Sequence, residues 1–358
     1  MVIKQYSKNQ KNALRSGWLR YEVKNQSDEL PSVNIIVASL NNELTIKECL
    51  LSILDQDYPQ NSLEVLVVDG GSTDSTAMLV KNYNVQFVSN RRNVPAAYNL
   101  ASKTVKNEVL GFIDADAKVE KDWLKKLIAD LSPSEVAAAG GNIATWNKNE
   151  LVPRCIGYEL SNRYSRLPRE VKRLATMNLL VKKQVLEEIG GFDENLPTQY
   201  DTDLGYRITS AGYKIIFDTN ALCYHFHRST LHKFFTQQYK YGQNTWKLYL
   251  KHPLLAKGDP ITDWGMNIQP GLLIAAISSL VISVIPFLTL IGVAVFLSLG
   301  AIMVGYYTLS AARVALKYND ASALFLVIIY FTRTVAWTLG ALGSMLHSFL
   351  IKVGLKKS

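Results

Sequence analysis

Leu110-Gly111-Phe112-Ile113-Asp114-Ala115-Asp116 is an apolar, strand-like run that delivers two carboxylates, one residue apart, to the point where the strand ends. Alternation along an extended chain puts Asp114 and Asp116 on the same face, so anionic oxygens converge where a hard divalent cation can sit. Asp is also common in turns and at helix starts, so the pair alone does not separate a metal site from a turn. The flanking segments do.

Upstream, Ser32 to Ser39 is a β-branched run of buried-strand length that leads through Asn41-Asn42-Glu43 into a helical pattern at Leu44, Cys49–Leu51 and Ile53–Leu54. Leu63 to Val68 reads as a second strand, followed at once by Asp69-Gly70-Gly71-Ser72-Thr73-Asp74-Ser75-Thr76. Two glycines let the backbone turn tightly and leave room for a ligand, and Ser72, Thr73 or Asp74 can cap the helix that begins nearby. Val85 to Val88 is a third strand, Pro95 to Val105 a helix bearing Asn99, and Val109 to Ile113 a fourth strand. Strands alternating with helices in this way predict an α/β fold with a mostly parallel sheet covered on both faces. Such sheets bind ligands at the carboxyl ends of their strands, where Asp69, Asp114 and Asp116 all fall.

Downstream, Trp123–Leu131 reads as a helix and Ala137–Gly141 as a strand. The basic run Arg154, Arg163, Arg166, Arg169, Lys172 and Arg173 reads as a solvated face, with reception of a phosphate as the alternative. Ile189-Gly190-Gly191-Phe192-Asp193-Glu194 ends one helix, and Gln199 to Arg207 opens another. Asp201 and Asp203 lie near its amino end, where the helix dipole favours the ionised form. Capping accounts for one of them and not for both.

Composition narrows the class. Gly271 to Leu309 runs 39 residues without Asp, Glu, Lys or Arg. Since a membrane span needs about 20 apolar residues, this length suits two spans, with the turn at Pro286. Ala321 to Leu350 is interrupted only by Arg333 and His347 and is a third span or an interfacial segment. Met1 to Leu30 is polar and basic without an apolar core, so no signal peptide is expected and the catalytic half is expected to stay cytoplasmic. The net charge is +9, of which residues 270–358 hold six bases against the lone Asp320. The remaining 33 bases against 29 acids are too small an excess for a nucleic-acid binder. Cys49, Cys155 and Cys223 are widely spaced and are expected to be reduced core thiols.

These residues together resemble the inverting glycosyltransferases of family 2, which have the GT-A fold. The matching stretches are V-N-I-I-V-A-S-L-N-N-E at 33–43, V-V-D-G-G-S-T-D-S-T at 67–76, D-A-D at 114–116, G-G-F-D at 190–193 and Y-D-T-D-L-G-Y-R at 200–207. Their order and spacing agree over residues 32–230. N-R-R-N-V-P-A-A-Y-N at 90–99 is similar to the membrane-bound subgroup that builds exopolysaccharide units and related glycans on lipids. The resemblance implies that Ser39, Asn41, Glu43, Asp69 and Asp114 bind the nucleotide sugar, with Asp69 at the base. It implies that Asp116 binds a divalent metal, Mg2+ or Mn2+, carrying the diphosphate. Asp201, matching the second residue of the family's Glu-Asp pair, is then the general base that deprotonates the acceptor hydroxyl. His225, within C-Y-H-F-H-R, falls near the metal, and Arg207, His227 and Arg333 are expected at the acceptor or its phosphate. The chain departs from the family at Tyr200, where an acid is usual, and at Ala38, where proline is usual. Gln237-Gln238-Tyr239-Lys240-Tyr241 is a degenerate form of the processive synthases' Q-x-x-R-W.

Between Thr219 and Gly258 there is no acid, yet there are six bases and four of the five histidines. On a helix, Lys233, Lys240, Lys247 and Lys251 fall in a stripe roughly 40° wide, and Leu231, Phe235, Tyr239, Trp246, Tyr249 and Leu250 in a separate arc of roughly 100°. A basic stripe beside an aromatic face fits a helix lying among anionic lipid headgroups; packing on the catalytic domain is the alternative. The expected organisation is a polar basic segment at 1–30, a GT-A catalytic domain at 31–228, amphipathic interface helices at 229–268, and a transmembrane region at 269–358 with apolar stretches at 268–286, 287–309 and 321–350. The expected protein is a membrane-anchored, metal-dependent glycosyltransferase of a prokaryotic plasma membrane. Its donor is a UDP- or GDP-sugar and its acceptor a membrane-embedded polyprenyl phosphate, polyprenyl-diphosphate saccharide or glycolipid. A processive polysaccharide synthase and a non-catalytic, nucleotide-sugar-binding scaffold are the alternatives.

Overall fold

The computed structural model describes residues 30–354, so most of the basic segment at 1–30, together with Lys356 and Lys357, lies outside the described residues. Strands β1 (Val33–Ser39), β2 (Leu63–Asp69), β3 (Gln86–Ser89) and β4 (Val109–Asp114) are parallel neighbours in the order β3-β2-β1-β4. Helices α1 (Ile46–Leu54), α2 (Thr76–Val80) and α3 (Val94–Thr104) connect them. The central strands are buried nearly end to end, which is why they read as continuous apolar runs rather than alternating ones. The register pairs Ser39 with Asp69 and Ala38 with Asp114, so three predicted polar positions reach one sheet edge together.

Beyond β4 the sheet is mixed rather than mostly parallel. The elements are β5 (Ala117–Val119), α4 (Trp123–Leu131), β6 (Val136–Thr145), α5 (Leu151–Tyr164), β7 (Glu170–Val171), β8 (Leu179–Lys182), α6 (Lys183–Glu188), α7 (Tyr200–Ser210) and β9 (Lys214–His225). Strand β8 sits antiparallel between β4 and β6, and β9 runs parallel to β6 but antiparallel to β5. A strand buried on both faces shows the same apolar run in either direction, so patterning carried no signal of its polarity. The register of β6 on β9 breaks between Gly141 and Asn142. A Cβ at Gly141 would lie 1.8 Å from the Ala221 carbonyl oxygen, so this irregularity depends on glycine. Past it, β9 pairs with β5 and sets His225 opposite Ala117, one residue from Asp116.

The C-terminal third is helical: α8 (Leu231–Lys251), α9 (Trp264–Ile282), α10 (Thr289–Tyr318) and α11 (Leu326–Lys352). Thr230 caps α8 and Asp263 caps α9, each accepting from a backbone N–H three residues on. Pro286 opens the turn between α9 and α10, as expected. Three segments, Trp264–Ile282, Pro286–Tyr318 and Ala321–Lys352, are long and apolar enough to cross a membrane. The third differs from the others: 50% of its apolar window is buried inside the fold, against 22% and 11%.

Its cover is α8, which corrects the picture of α8 as a helix facing headgroups alone. Lys251, the last member of the basic stripe, reaches Asp193 and Asp203 at 2.7 Å each, and the Tyr249 hydroxyl donates to Asn267. The Trp337 indole N–H of α11 donates to Gln238 of α8 at 2.8 Å. Lys233, Lys240 and Lys247 stay exposed. The helices cross at two glycines, where a Cβ on Gly242 would lie 2.4 Å from the Trp337 carbonyl oxygen and one on Gly340 2.2 Å from that of Tyr239. Backbone cannot yield as a side-chain tip does. Gly340→Val is therefore expected to separate α8 from α11 at a cost at or above the usual overpacking penalty of about 1–3 kcal/mol. A thermal melt of the purified protein in detergent should drop by several degrees, and an unchanged melt would mean the crossing does not hold α11 in place.

Candidate active site

A cleft of about 1250 Å³ opens at the carboxyl ends of β1 and β4. Its floor carries Ser39, Asn41, Asp114 and Asp116; Asp201 stands on one side, and His225, His227 and Arg228 on another. The loops after β1 and β2 interlock beside it. Asn41 Oδ1 accepts from the Thr73 N–H at 2.8 Å while its own N–H donates to Ser72, and Glu43 exchanges bonds with Ser75 and Asp74. Asn41 takes a left-handed backbone, with φ 54, which Asn tolerates better than most residues. Asp69 is buried and faces its own turn: Oδ2 accepts from Gly71 and Ser72 N–H at 2.9 Å, and Oδ1 from the Ser72 hydroxyl at 2.5 Å. Asp69 and Glu43 thus shape the wall, while Ser39 and Asn41 form the lining.

Asp114 and Asp116 are two carboxylates under opposite influences. Tyr98 donates its hydroxyl to Asp114 at 3.1 Å. Burial first, and the charge of Asp116 second, nevertheless push the Asp114 carboxyl up to about 6. Asp116 is also desolvated, but His225 Nε2 at 3.2 Å and Arg228 Nη1 at 3.3 Å outweigh that and hold its carboxyl down at about 2. Behind Asp114 lie the rings of Tyr98, Phe112, Phe192 and Tyr200, with centroids 4.8 to 6.1 Å apart. Tyr200, where the family usually has an acid, is thus a partly buried member of an aromatic cluster.

His225 Nδ1 and His227 Nδ1 are 3.0 Å apart, so one of them donates to the other. If His225 is the donor, its Nε2 lone pair faces an Asp116 oxygen, and two acceptors 3.2 Å apart call for a proton or a cation between them. That chemistry fits a divalent ion held by one carboxylate and one imidazole, the rest of its shell coming from phosphate and water. Among the described residues, no group of three or more His, Cys, Asp or Glu could hold a metal by itself. Among the described residues, His227 Nε2 is buried without a partner, and burial, reinforced by His225, pushes the ring well below its usual range.

On α7 the two acids part ways. Asp201 is partly exposed to the cleft, and its Oδ1 accepts from the Thr202 N–H at 2.8 Å. Burial raises its carboxyl above the usual Asp range, against the opposing charge of Arg173. Asp203 is fully buried and shared by Arg207, Lys251 and His252 at 2.7 to 2.8 Å, contacts that overcome its desolvation and lower its carboxyl. Arg207, expected at the acceptor, instead holds Asp203 and the Ile189 carbonyl, and it does not line the cleft. Arg333 lines the cleft's far end with Trp337 and Met266 from the membrane-length helices, and the degenerate motif contributes Gln237, Gln238, Lys240 and Tyr241. The basic run at 154–173 is largely paired: Arg154 with Asp320, Arg163 with Glu159, Arg169 with Asp130 and Arg173 with Asp259. The sequence reading missed Tyr98 and Arg228 at the carboxylates. Arg228 adjoins the two histidines in C-Y-H-F-H-R, a signal that was present.

Residues 34–189 match the family model described as glycosyl transferase family 2. The chain carries a glycosyl transferase family 2 domain. The chain is 28% identical over 200 residues to glycosyltransferase AglE of Haloferax volcanii, covering 52% of this chain and 64% of the relative. It is also similar to the dolichyl N-acetyl-alpha-D-glucosaminyl phosphate 3-beta-D-2,3-diacetamido-2,3-dideoxy-beta-D-glucuronosyltransferase of Methanococcus voltae, 25% identical over 229 residues, 59% of this chain and 71% of that one. The match thus spans slightly under two thirds of AglE. Among solved structures, the mannosyltransferase PcManGT from Pyrobaculum calidifontis in complex with GDP-Man and Mn2+ superposes with a TM-score of 0.56 at 19% identity, over 94% of each chain. At that identity the likeness establishes the GT-A fold.

The locked Asp203 gives a test of this division of labour. Asp203→Asn leaves the Arg207 and Lys251 cations, with His252 beside them, around a neutral amide and is expected to cost about 3 kcal/mol of stability. Thermal unfolding should show the loss, and a melt equal to the parent's would mean Asp203 does not anchor α7.

Proposed function

We infer that the chain is a membrane-anchored inverting glycosyltransferase that moves a sugar from a nucleoside-diphosphate sugar to a lipid-linked acceptor. The observation that carries this reading is the continuity of one cleft. It runs from Ser39, Asn41, Asp114 and Asp116, past Asp201, to residues of α8 and of two membrane-length helices. The donor lies at the first end, its nucleoside against the interlocked loops and Asp114. Asp116, His225 and Arg228 face its diphosphate. Asp116 and His225 would hold a divalent ion, Mg2+ or Mn2+, which supplies positive charge to the departing nucleoside diphosphate. PcManGT, whose complex contains GDP-Man and Mn2+, supports that choice by fold.

Asp201 takes the proton of the acceptor hydroxyl as its oxygen attacks the anomeric carbon. The bond from that carbon to the diphosphate oxygen breaks, the electron pair leaves with the nucleoside diphosphate, and a single displacement inverts the centre. A partly buried carboxylate with a raised proton affinity is a better base than an ordinary aspartate, and the charge of Arg173 opposes its protonation. Asp203 is too tightly held to share this role. The acceptor enters from the side of α8, where exposed Lys233 and Lys240 line the opening and anionic headgroups suit them. The Methanococcus voltae relative, named for a dolichyl-linked sugar phosphate, supports a lipid-linked acceptor. The catalytic domain on this reading faces the cytoplasm.

Membranes containing the protein, incubated with labelled nucleotide sugars and divalent metal and then extracted with organic solvent, are expected to yield label in a discrete lipid species. Insoluble polymer would favour a processive synthase, and nucleotide binding without transfer a scaffold. Asp201→Asn should lower kcat by at least about 100-fold with donor binding intact, the usual scale for a general base; full activity in that variant would remove Asp201 from the mechanism.

The pH profile supplies an independent check. The base works ionised, so activity falls as pH drops through its raised pKa, above the limb an ordinary aspartate gives. Arg173 favours the ionised form, so Arg173→Gln should move the acid limb of kcat/KM to higher pH while Arg173→Lys moves it less. A limb that stays in place or moves down in Arg173→Gln would show that another group titrates.

A further inference from the structure

At the membrane end of the cleft, one carboxylate is shared by two guanidinium groups. Glu159 and Arg163 lie one turn apart on α5, with Arg163 Nη2 3.3 Å from Glu159 Oε2. Arg333, on α11, donates through Nη1 to Glu159 Oε1. All three line the cleft that reaches Asp201 and Asp116. Arg333 is 4% exposed and lies over the rings of Tyr330 and Trp337, at 5.2 and 5.4 Å from their centroids. Arg163 also donates from Nη1 to the Ile261 carbonyl at 3.2 Å. Among the described residues, the Nε–H groups of both arginines are buried without a hydrogen-bond partner.

The charge does not close. Two cations face a single anion, Glu159, while the neighbouring Arg173 pairs with Asp259 at 2.6 Å and also acts on Asp201. A net positive charge held beside an apolar helix is costly, as is an N–H removed from water with nothing to donate to. Both costs fall when an anion with several acceptor oxygens enters, and the planar guanidinium fork matches a phosphate better than any other common anion except carboxylate. Phe234, Met266 and Trp337 line the same end and offer an apolar wall to a hydrocarbon chain attached to that phosphate.

We propose that Arg163 and Arg333 form a binding site for the phosphate or diphosphate of the acceptor lipid, holding it at the membrane end of the cleft while the acceptor's reactive end extends toward Asp201. The proposal rests on the lipid-linked acceptor inferred above. It separates two phosphate positions in one cleft: the donor's beside Asp116, His225 and Arg228, and the lipid's beside Arg163 and Arg333. Glu159 orients the two forks and competes with the ligand for them.

The test is binding of a labelled isoprenyl phosphate by the full chain in phosphatidylcholine nanodiscs, with the neutral isoprenol and a nucleoside diphosphate as parallel probes. Arg163→Gln and Arg333→Gln are each expected to weaken isoprenyl phosphate binding roughly tenfold or more, the scale of one lost hydrogen bond to a charged group. Glu159→Gln, which removes the competing anion, is expected to tighten it. A merely structural ion triad predicts no such gain. The double variant Glu159→Gln/Arg333→Gln takes the buried pair out together, so a folded protein with weakened phosphate binding remains the expected result even where Arg333→Gln alone unfolds. Isoprenol and nucleoside diphosphate binding should not move in any folded variant. Unchanged or weaker isoprenyl phosphate binding in Glu159→Gln overturns the proposal. So does equal competition by inorganic phosphate, which would make this a free-phosphate site, or a parallel loss of nucleoside diphosphate binding, which would give the arginines to the donor. Because binding is read without turnover, a protein that binds isoprenyl phosphate as expected yet transfers no sugar would sink the transferase reading and leave this site standing.

Discussion

Two carboxylates crowded at one sheet edge, Asp116 buried and Asp114 half-buried, are the constraint on which the site depends. The register of β1 with β4 and the shortness of the step to β5 force Asp114 and Asp116 together, and neither is bathed in water. The fold resolves the conflict by treating them differently. Asp116 receives His225 and Arg228, which arrive because β9 bends at Gly141 and pairs with β5. Asp114 receives only the hydroxyl of Tyr98 and is pushed toward its neutral form. A pair whose proton affinities are driven apart can bind a cationic or phosphate-bearing partner at one member and a neutral, hydrogen-bonding group at the other.

A second consequence concerns α7, which carries Asp201. Two connections from the C-terminal helices land on it. Lys251 and His252, at the end of α8, grip Asp203. The turn before α9 sends Asp259 to Arg173, and Arg173 also donates to Thr202 at 3.1 Å. Thr202 and Asp203, the two residues after Asp201, are thus held by groups from the C-terminal helices and the turn before α9, Thr202 through Arg173 and Asp203 directly. The proposed base is next in sequence to two residues tied to the C-terminal helices, so on the proposed reading the acceptor side of the cleft and those helices are mechanically linked.

The first half of the fold was legible because its strands are continuous β-branched runs and its loops are written in Gly, Asp, Ser and Asn. The family resemblance rests on those same loops together with 190–193 and 200–207, and the family match at 34–189 spans the loops of the first half. What stayed hidden was partnership across long separations. Glu159 and Arg333 are 174 residues apart and Lys251 and Asp193 are 58 apart, and no periodicity links them. Hence Lys251 was placed among headgroups and Arg207 at the acceptor, when each had a buried acid to satisfy. Strand direction beyond β4 was hidden for a different reason: a fully buried strand carries no face to compare. Asp69 shows a third kind of limit, since its type and position signalled a ligand pocket but not that its own turn would take up its oxygens.

Tyr200 was the residue that most weakened a catalytic reading, because the family usually has an acid there. Its surroundings reverse the argument. The ring packs on Tyr98 and Phe192, and it lies near enough to Asp114 and Asp201 for their charges to act on its hydroxyl. An acid in the same place would be a further buried carboxylate beside Asp114 and Asp201, both already raised by burial, and would drive each further toward the protonated form. A tyrosine removes that repulsion and leaves Asp201, opposed by Arg173, as the one acid of α7 that lines the cleft. On the proposed reading, the departure from the family pattern concentrates base character on a single carboxylate rather than abolishing it.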